Sequence, residues 1–300
     1  MSSAASAATP RGRRLPFVGL TRGFVSRERR LARLSLKVGI VLLGTIALAC
    51  AIAPLLGLPG PNAQNYNAVL QAPSWAHPFG TDELGRDVFS RTLAGGRLDL
   101  SIGITLTAVS LSIGVALGVC AGFFGGLVDS VIMRCADVVL AFPALVLLLA
   151  LSAVFGAGLT GVYVGVPLIG WALYARLTRA QMLVVREREY VLAARVLGYS
   201  TRRTLLKHAF PNVWRPAFVF SMADIVLNIS LLATLSYLGV GVQPPRAEWG
   251  VLIADGQSQL LNAWWIATLP GLVLVAVSFG LILIGDATAE LLGDEGRAGG

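Results

Sequence analysis

The stretch EYVLAARVLGYSTRRTLLKHAFPN, residues 189–212, is the longest strongly basic and amphipathic segment in a chain of 300 residues. It predicts two short helices. The first begins at Glu189 and ends at Gly198, which adopts the left-handed conformation without steric cost. Ser200 or the next residue caps the second helix, and Pro211 then opens a new helix at its first turn. Such a hairpin offers a rigid charged surface to a partner; the alternative is a solvated loop whose arginines only set membrane topology.

Long runs without charged residues flank this stretch and determine the class of protein. Hydrophobic residues make up 55% of the chain and charged residues only 13%, whereas a soluble domain carries about 25% charged residues. Several runs exceed the ~20 apolar residues that cross a bilayer as a helix. The runs are residues 38–81, 100–128, 138–175, 225–245 and 256–285. The sequence therefore predicts an all-α polytopic membrane protein with six transmembrane helices.

The predicted spans cover about residues 36–56, 100–124, 138–155, a segment from about 162, 213–238 and 264–284. The predicted organisation is a basic cytoplasmic tail at 1–34, a first span and outer segment at 35–99, a core at 100–290 that includes the loop 187–212, and a C-terminal tail at 291–300. The tail is expected to be poorly ordered, with an interfacial helix near its end. A signal peptide cleaved near Cys50 is the alternative, but the long basic leader and the continuing apolar run favour an uncleaved span.

The positive charges are clustered beside predicted spans. Of the 24 Lys and Arg residues, nine lie in residues 1–37 and nine in residues 176–215, and the formal net charge is +8. This is the positive-inside pattern, and it places both termini in the cytoplasm. A nucleic-acid-binding surface requires a basic face on a folded soluble domain, and the sequence predicts no such domain. The expected surroundings are therefore membrane lipid and not nucleic acid.

The cysteine and histidine residues predict neither a metal site nor a disulfide. Cys50 and Cys120 lie within apolar runs, and Cys135 lies near the start of another, where small packing residues are typical. His77 and His208 are far apart and lack the ligand spacing of a metal site.

Two further sets of polar residues are candidates for a functional role. HPFGTDELGRDVFSR, residues 77–91, is dense in turn residues and charges, and its simplest interpretation is a solvated outer loop. Asp224 lies within the fifth predicted span, with Asn228 on the same helix face. An ionisable group at membrane depth is a candidate to line a pathway. The equally weighted alternative is a buried Asp paired with Arg215 or a neighbouring helix.

Residues in the first stretch resemble the EAA motif of ABC importer permeases, in which a coupling helix docks on the ATP-hydrolysing subunit. The matching residues, spaced E-x3-A-A-x3-G with a late proline, are Glu189, Ala193, Ala194, Gly198 and Pro211, with Arg202 in the same loop. The 77–91 segment resembles a block of the peptide and nickel branch of this family. Its matching residues include Gly80, Thr81, Asp82, Gly85, Arg86 and Asp87.

The resemblance implies a type I (MetI-like) ABC importer permease fold and a subunit that forms half of a translocation pathway for di- or oligopeptides across the bacterial inner membrane. It also implies four kinds of partner: a second permease subunit in a heterodimer, two ATP-binding subunits, an extracytoplasmic binding protein and membrane lipid. ATP and Mg would be bound by the partner subunits, and no phosphate-binding loop occurs in this sequence. The implied alternatives are a permease for nickel chelates, glutathione or another small solute.

Two other classes fit the sequence less well. A secondary transporter requires embedded ionisable pairs and repeat symmetry. Asp224 is a single ionisable residue and so gives this class little support. A membrane scaffold leaves both motifs unexplained. Dependence of uptake on ATP hydrolysis by a co-purified partner distinguishes the three classes.

Overall fold

The structure is a computed structural model that describes the backbone of residues 17–298 and the side chains of residues 29–292. Within that part of the chain the regular structure is helical, with one isolated bridge between Thr81 and Asp87. The helices are α1 Phe17–Ile52, α2 Val88–Phe124, α3 Gly126–Leu140, α4 Ala144–Phe155, α5 Leu159–Val185, α6 Glu189–Val196, α7 Thr201–Arg203, α8 Phe210–Tyr237, α9 Trp249–Gln257 and α10 Trp265–Ala298.

Four helical segments are long and apolar enough to cross a membrane: Arg29–Leu55, Val88–Phe124, Thr201–Tyr237 and Trp265–Leu292. The pair α3 and α4, bent by 91°, makes a fifth if it is counted as one span. Length and composition thus support four or five of the six predicted spans. Helix α5 is not among them, although its 27 residues extend about 40 Å; its assignment as a span stays a prediction.

The third predicted span is not one helix. Residues 138–155 were expected to be continuous, but α3 ends at Leu140 and α4 begins at Ala144. Pro143 explains the break, because it lacks an N–H and disfavours helical backbone at the residue before it. With 12 residues, α4 extends only about 18 Å.

The predicted terminal and outer boundaries also differ from the structure. Helix α1 begins at Phe17, so residues 17–34 are helical and continue into the first predicted span. Helix α2 begins at Val88, twelve residues before the predicted second span, and α10 continues to Ala298 through most of the predicted C-terminal tail. The boundaries expected after residues 34 and 99 therefore fall inside helices. Residues 1–16 and 299–300 lie outside the described range.

Helices α2 and α5 form the centre of the bundle. A Cβ atom on Gly122 would lie 2.7 Å from the Cβ of Met182, and side chains on Gly114 and Gly118 would overlap α5 in the same way. The glycine spacing therefore lets the two backbones pack directly, as small residues do in membrane helices. Helix α8 packs against both, while α1 packs chiefly on α10 at the edge of the bundle.

Two layers lie at the ends of this bundle. At one end, residues 53–87 and α9 cover the start of α2 and α10, with Val88, Ala263, Trp265 and Ile266 as a small apolar core. At the other end, α6, α7 and the start of α8 form a hairpin that packs on the ends of α2 and α5 through Phe123 and Met182. These two layers hold the residues singled out in the sequence.

Candidate functional site

Residues 189–212, hereafter the basic hairpin, begin with α6, as predicted. Gly198 has φ +77°, which confirms the predicted left-handed conformation. The Gly198 N–H donates to the Arg195 carbonyl at 3.0 Å, and the Tyr199 N–H donates to the Ala194 carbonyl at 3.1 Å. This pair of bonds is a Schellman motif, which satisfies the last carbonyls of α6 and reverses the chain.

The second half of the basic hairpin differs from the prediction. Ser200 is the N-cap, as expected, since its hydroxyl accepts from the Arg203 N–H. The chain then continues without a break through a π-helical segment, Thr204–Ala209, into α8, so Pro211 lies in the first turn of α8 as predicted but follows helical backbone instead of a loop. The wider π turn explains this, because Pro211 has no N–H and its ring would clash with the carbonyl four residues earlier in a regular α-helix.

The basic hairpin is anchored to the bundle on one side. Val191 and Ala194 are buried, and the Arg195 guanidinium lies 5.2 Å from the ring centroid of Phe123. The Asn212 amide donates to the Tyr190 hydroxyl at 3.1 Å and so joins the two halves. These contacts hold the hairpin as a fixed projection, unlike a solvated loop.

The other side of the basic hairpin is exposed and is both apolar and positive. Val196 is 87% exposed and Leu197 is 72% exposed. Large apolar side chains exposed side by side are a candidate contact surface. The six residues that match the family motif lie on both sides of the basic hairpin. Glu189, Ala193, Gly198, Arg202 and Pro211 are exposed, whereas Ala194 faces the bundle.

Residues 77–91, hereafter the charged block, are largely buried and are not a solvated loop. Asp82 accepts hydrogen bonds at Oδ1 from the Leu84 N–H at 2.9 Å and the Arg86 N–H at 3.0 Å, and at Oδ2 from the Arg86 Nε at 2.6 Å. Gly85 closes this turn with φ +68°, and a Cβ there would overlap the Asn65 carbonyl. The turn is therefore specified by one carboxylate and one glycine.

The charged block holds together the layer formed by residues 53–87 and α9. The Thr81 hydroxyl donates to the Ala68 carbonyl, and the Thr81 carbonyl accepts from Trp265 Nε1 at 3.1 Å. Gly80 has φ +70°, and a Cβ there would lie 2.6 Å from that indole nitrogen. Asp87 caps α2 through the Ser90 N–H at 2.7 Å. The block thus connects the segment before α2 with the start of α10.

Helix α9 supplies two acidic residues that sequence reasoning missed. Asp255 lies 3.6 Å from the guanidinium groups of Arg86 and Arg91. Burial raises the pKa of Asp255, and Arg91 and Arg86 oppose that rise. Glu248 caps α9 by accepting from the Gly250 and Val251 N–H groups at 2.9 Å. Burial raises the pKa of Glu248 against these two bonds.

The pathway candidates Asp224 and Asn228 are buried within the chain, at 5% and 4% exposure. Asp224 Oδ2 accepts from the Tyr174 hydroxyl at 2.9 Å and from the Asn228 amide at 3.1 Å, and that amide also donates to Thr107 at 2.8 Å. These bonds join α2, α5 and α8. The structure thus favours the neighbouring-helix alternative, and lining of a pathway by these residues stays a prediction.

The C-terminal half of α5 is joined to α3 by ion pairs. Arg179 makes a two-point ion pair with Asp129, and Arg176 Nη2 lies 2.5 Å from Asp137 Oδ1. The spacing along the chain carries no signal for these pairs, because the partners lie 39 and 50 residues apart.

The described residues contain no group of three or more His, Cys, Asp or Glu side chains arranged to hold a metal ion. In the same part of the chain the three cysteines are free thiols. The bundle has an exposed contact surface at one end and a tightly bonded layer at the other.

Residues 114–293 match the family described as "Binding-protein-dependent transport system inner membrane component". Similar proteins include the oligopeptide transport system permease protein of Bacillus subtilis (strain 168), 36% identical, with 85% of this chain and 84% of that protein covered. A di/tripeptide transport system permease protein of Pseudomonas aeruginosa (strain UCBPP-PA14) is 35% identical, covering 85% and 86%. A glutathione transport system permease protein of Pectobacterium atrosepticum is 35% identical, covering 88% of each chain. With its helical bundle, exposed basic hairpin and bonded charged block, the chain belongs to the family of inner-membrane permease components of binding-protein-dependent ABC importers.

Proposed function

We propose that this chain is the transmembrane subunit of an ATP-driven importer and forms half of a translocation pathway for di- or oligopeptides. The observation that carries the proposal is the basic hairpin, a fixed projection with exposed apolar and basic side chains on its outer side. A projection of this kind suits rigid-body docking to a soluble partner. Family membership makes an ATP-binding subunit the partner that best fits it.

The proposed assembly contains a second permease, two ATP-binding subunits and an extracytoplasmic binding protein. This subunit would hold no cofactor, and ATP with Mg would be bound and hydrolysed by the partners. ATP binding would shift the bundles between inward-open and outward-open states. Shifting a two-state equilibrium from 1:99 to 99:1 requires a differential affinity of about 5.5 kcal/mol. The basic hairpin would transmit that energy to α5 and α8, between which it is inserted.

The proposed location is the bacterial inner membrane with both termini in the cytoplasm. The basic hairpin, with Arg195, Arg202, Arg203 and Lys207, then lies on the cytoplasmic side, in keeping with the positive-inside rule. The charged block lies on the opposite side, where it would shape the surface that receives the binding protein. The predicted core at residues 100–290 would act as the permease unit, with the loop 187–212 as its coupling element.

Peptides are the proposed substrate because relatives of this chain carry names for di/tripeptide and oligopeptide transport. The glutathione relative supports the alternative of a modified tripeptide. A permease for nickel chelates or another small solute is a further alternative, and a secondary transporter is the least favoured.

The experiment is uptake into proteoliposomes that contain this chain with its second permease and ATPase subunits. Labelled di- and oligopeptides are supplied with the binding protein, and glutathione and a nickel chelate are tested in parallel. The expected result is peptide uptake that stops when ATP is replaced by a non-hydrolysable analogue. Uptake of glutathione or nickel instead would correct the substrate, whereas uptake driven by an ion gradient without ATP would refute the importer assignment.

A further inference from the structure

A buried pair of carboxyl groups lies where α9 meets α2. A Cβ on Gly95 would lie only 3.2 Å from the Glu248 Cα, so the α2 backbone directly contacts the start of α9. Trp249 is fully buried there, its Nε1 donating to the Thr92 carbonyl at 3.0 Å and its N–H to Asp99 Oδ2 at 3.1 Å. The Trp249 bond brings the Asp99 carboxyl beside Glu248, the residue that precedes Trp249.

The two carboxyl groups have unequal sets of donors. Glu248 accepts from the N–H groups of Gly250 and Val251 and from the Ser236 side chain. Asp99 Oδ2 accepts from the Trp249 N–H, while Asp99 Oδ1 has no hydrogen-bond partner by geometry in the described part of the chain. Both residues are 0% exposed, so the pair lies away from bulk solvent.

Two ionised carboxylates are unfavourable in this setting. Like charges in contact and out of water repel, and a buried anionic oxygen without a donor carries a large desolvation cost. One proton removes both problems, because a protonated Asp99 donates to Glu248 and its own charge disappears. Glu248, with three donors, is the better stabilised anion of the pair. The neighbouring charged or titratable groups are Arg97 on α2, which is exposed, and the Cys50 thiol on α1.

We propose that Asp99 and Glu248 form a proton-binding site, in which the Asp99 carboxyl donates a hydrogen bond to the Glu248 carboxylate and thereby joins α2 to α9. The proton is the ligand, and no other ion is needed to balance the site. The consequence is that the attachment of α9 depends on pH.

The direction of that dependence follows from proton linkage. The folded chain holds a proton that the unfolded chain releases near the ordinary aspartate pKa of about 3.9. The stabilisation is fully present below that value and is lost as pH rises far enough for the folded pair to release its proton. Between the pH at which the unfolded chain releases the proton and the pH at which the folded pair releases it, the equilibrium constant for unfolding rises about tenfold for each unit that the pH rises.

The test compares the purified full-length protein with Asp99→Asn. The asparagine oxygen can still accept from Trp249, and its amide can donate to Glu248, but it does not titrate. Denaturant unfolding is measured in detergent from about pH 5 to about pH 8. The wild-type unfolding constant is expected to rise with pH more steeply than that of Asp99→Asn, by up to about tenfold per unit. Asp286→Asn, which changes an exposed carboxylate, is the matched control and should keep the wild-type slope.

Infrared spectroscopy provides a second readout. The carbonyl stretch of a protonated carboxyl group should be present in the wild type at neutral pH and reduced in Asp99→Asn. Parallel unfolding curves together with an unchanged carboxyl band would show that Asp99 is ionised and would overturn the proposal. Should Asp99→Asn fail to accumulate, Asp99→Ser takes its place, because its hydroxyl can donate to Glu248 without titrating in this range.

Discussion

Replacing Gly198 by valine changes the conformation of the basic hairpin without removing a charge. The residue has φ +77°, and a Cβ added there would meet no atom within 4 Å. The cost is therefore confined to the backbone, because a non-glycine residue in the left-handed region loses roughly 1–2 kcal/mol and a β-branched one is least tolerated. Relief of this strain requires giving up the Schellman bonds of Tyr199 and Gly198 and re-aiming the chain after α6.

The expected effect on docking follows from that energy. A penalty of about 1–2 kcal/mol lowers the population of the native hairpin 5–30-fold relative to competing conformations. If only the native hairpin binds the ATP-binding subunit and the relaxed, re-aimed conformation dominates in the variant, the apparent dissociation constant rises by a comparable factor. The assay is pull-down of the ATP-binding subunit over a concentration series, together with ATP-dependent uptake into vesicles. Gly198→Asn should be milder, because asparagine enters the left-handed region more readily.

Gly239 provides a matched control at the other end of α8. It also has φ +77° with open space around its missing Cβ, and the Val240 N–H donates to the Leu235 carbonyl in the same Schellman arrangement. Gly239→Val carries equal backbone strain away from the basic hairpin, so recovery of the ATP-binding subunit should remain normal. Wild-type recovery and uptake in Gly198→Val, or an equal loss of recovery in Gly239→Val, would refute the assignment of the hairpin as the docking element.

Three further predictions concern the rest of the molecule. Asp82→Ala should destabilise the protein by about 3 kcal/mol, because it removes the carboxylate from buried arginine partners; thermal melting in detergent measures this, with the exposed neighbour Glu83→Gln as a neutral control. Asp224→Ala should lower yield and melting temperature, since each polar group left without an acceptor costs about 1–3 kcal/mol; normal yield with an altered substrate range would instead place Asp224 on the pathway. In a background without native cysteines, an impermeant thiol reagent should label Gln64→Cys in intact cells and Val196→Cys only after permeabilisation, and external labelling of position 196 would contradict the proposed topology.

The sequence by itself determined the class of the protein and the local geometry of its motifs. Charge-free runs indicated a helical membrane protein because the hydrophobic effect and the thickness of a bilayer act on composition alone. The left-handed Gly198 and the Ser200 cap were predictable for a similar reason. Both depend on side chains within a few residues, so the chemistry of one turn is sufficient.

Some local features were nevertheless missed. The bend at Pro143 and the π segment before Pro211 are both consequences of a proline, yet one proline breaks its helix and the other does not. The difference depends on whether surrounding packing supports a widened turn, and Ala209 and Val213 are buried on either side of Pro211. Sequence spacing alone does not contain that information.

The tertiary structure alone decided which charges are buried and what they contact. Asp255 meets Arg86 and Arg91, Arg179 meets Asp129, and Asp99 meets Glu248 across separations of 50 residues or more. Such pairs depend on the register in which whole helices pack, and that register is set by many contacts at once, including the glycines between α2 and α5. For this reason the charged block, which is polar in the sequence, is a buried part of the fold, while apolar Val196 and Leu197 lie exposed on the basic hairpin.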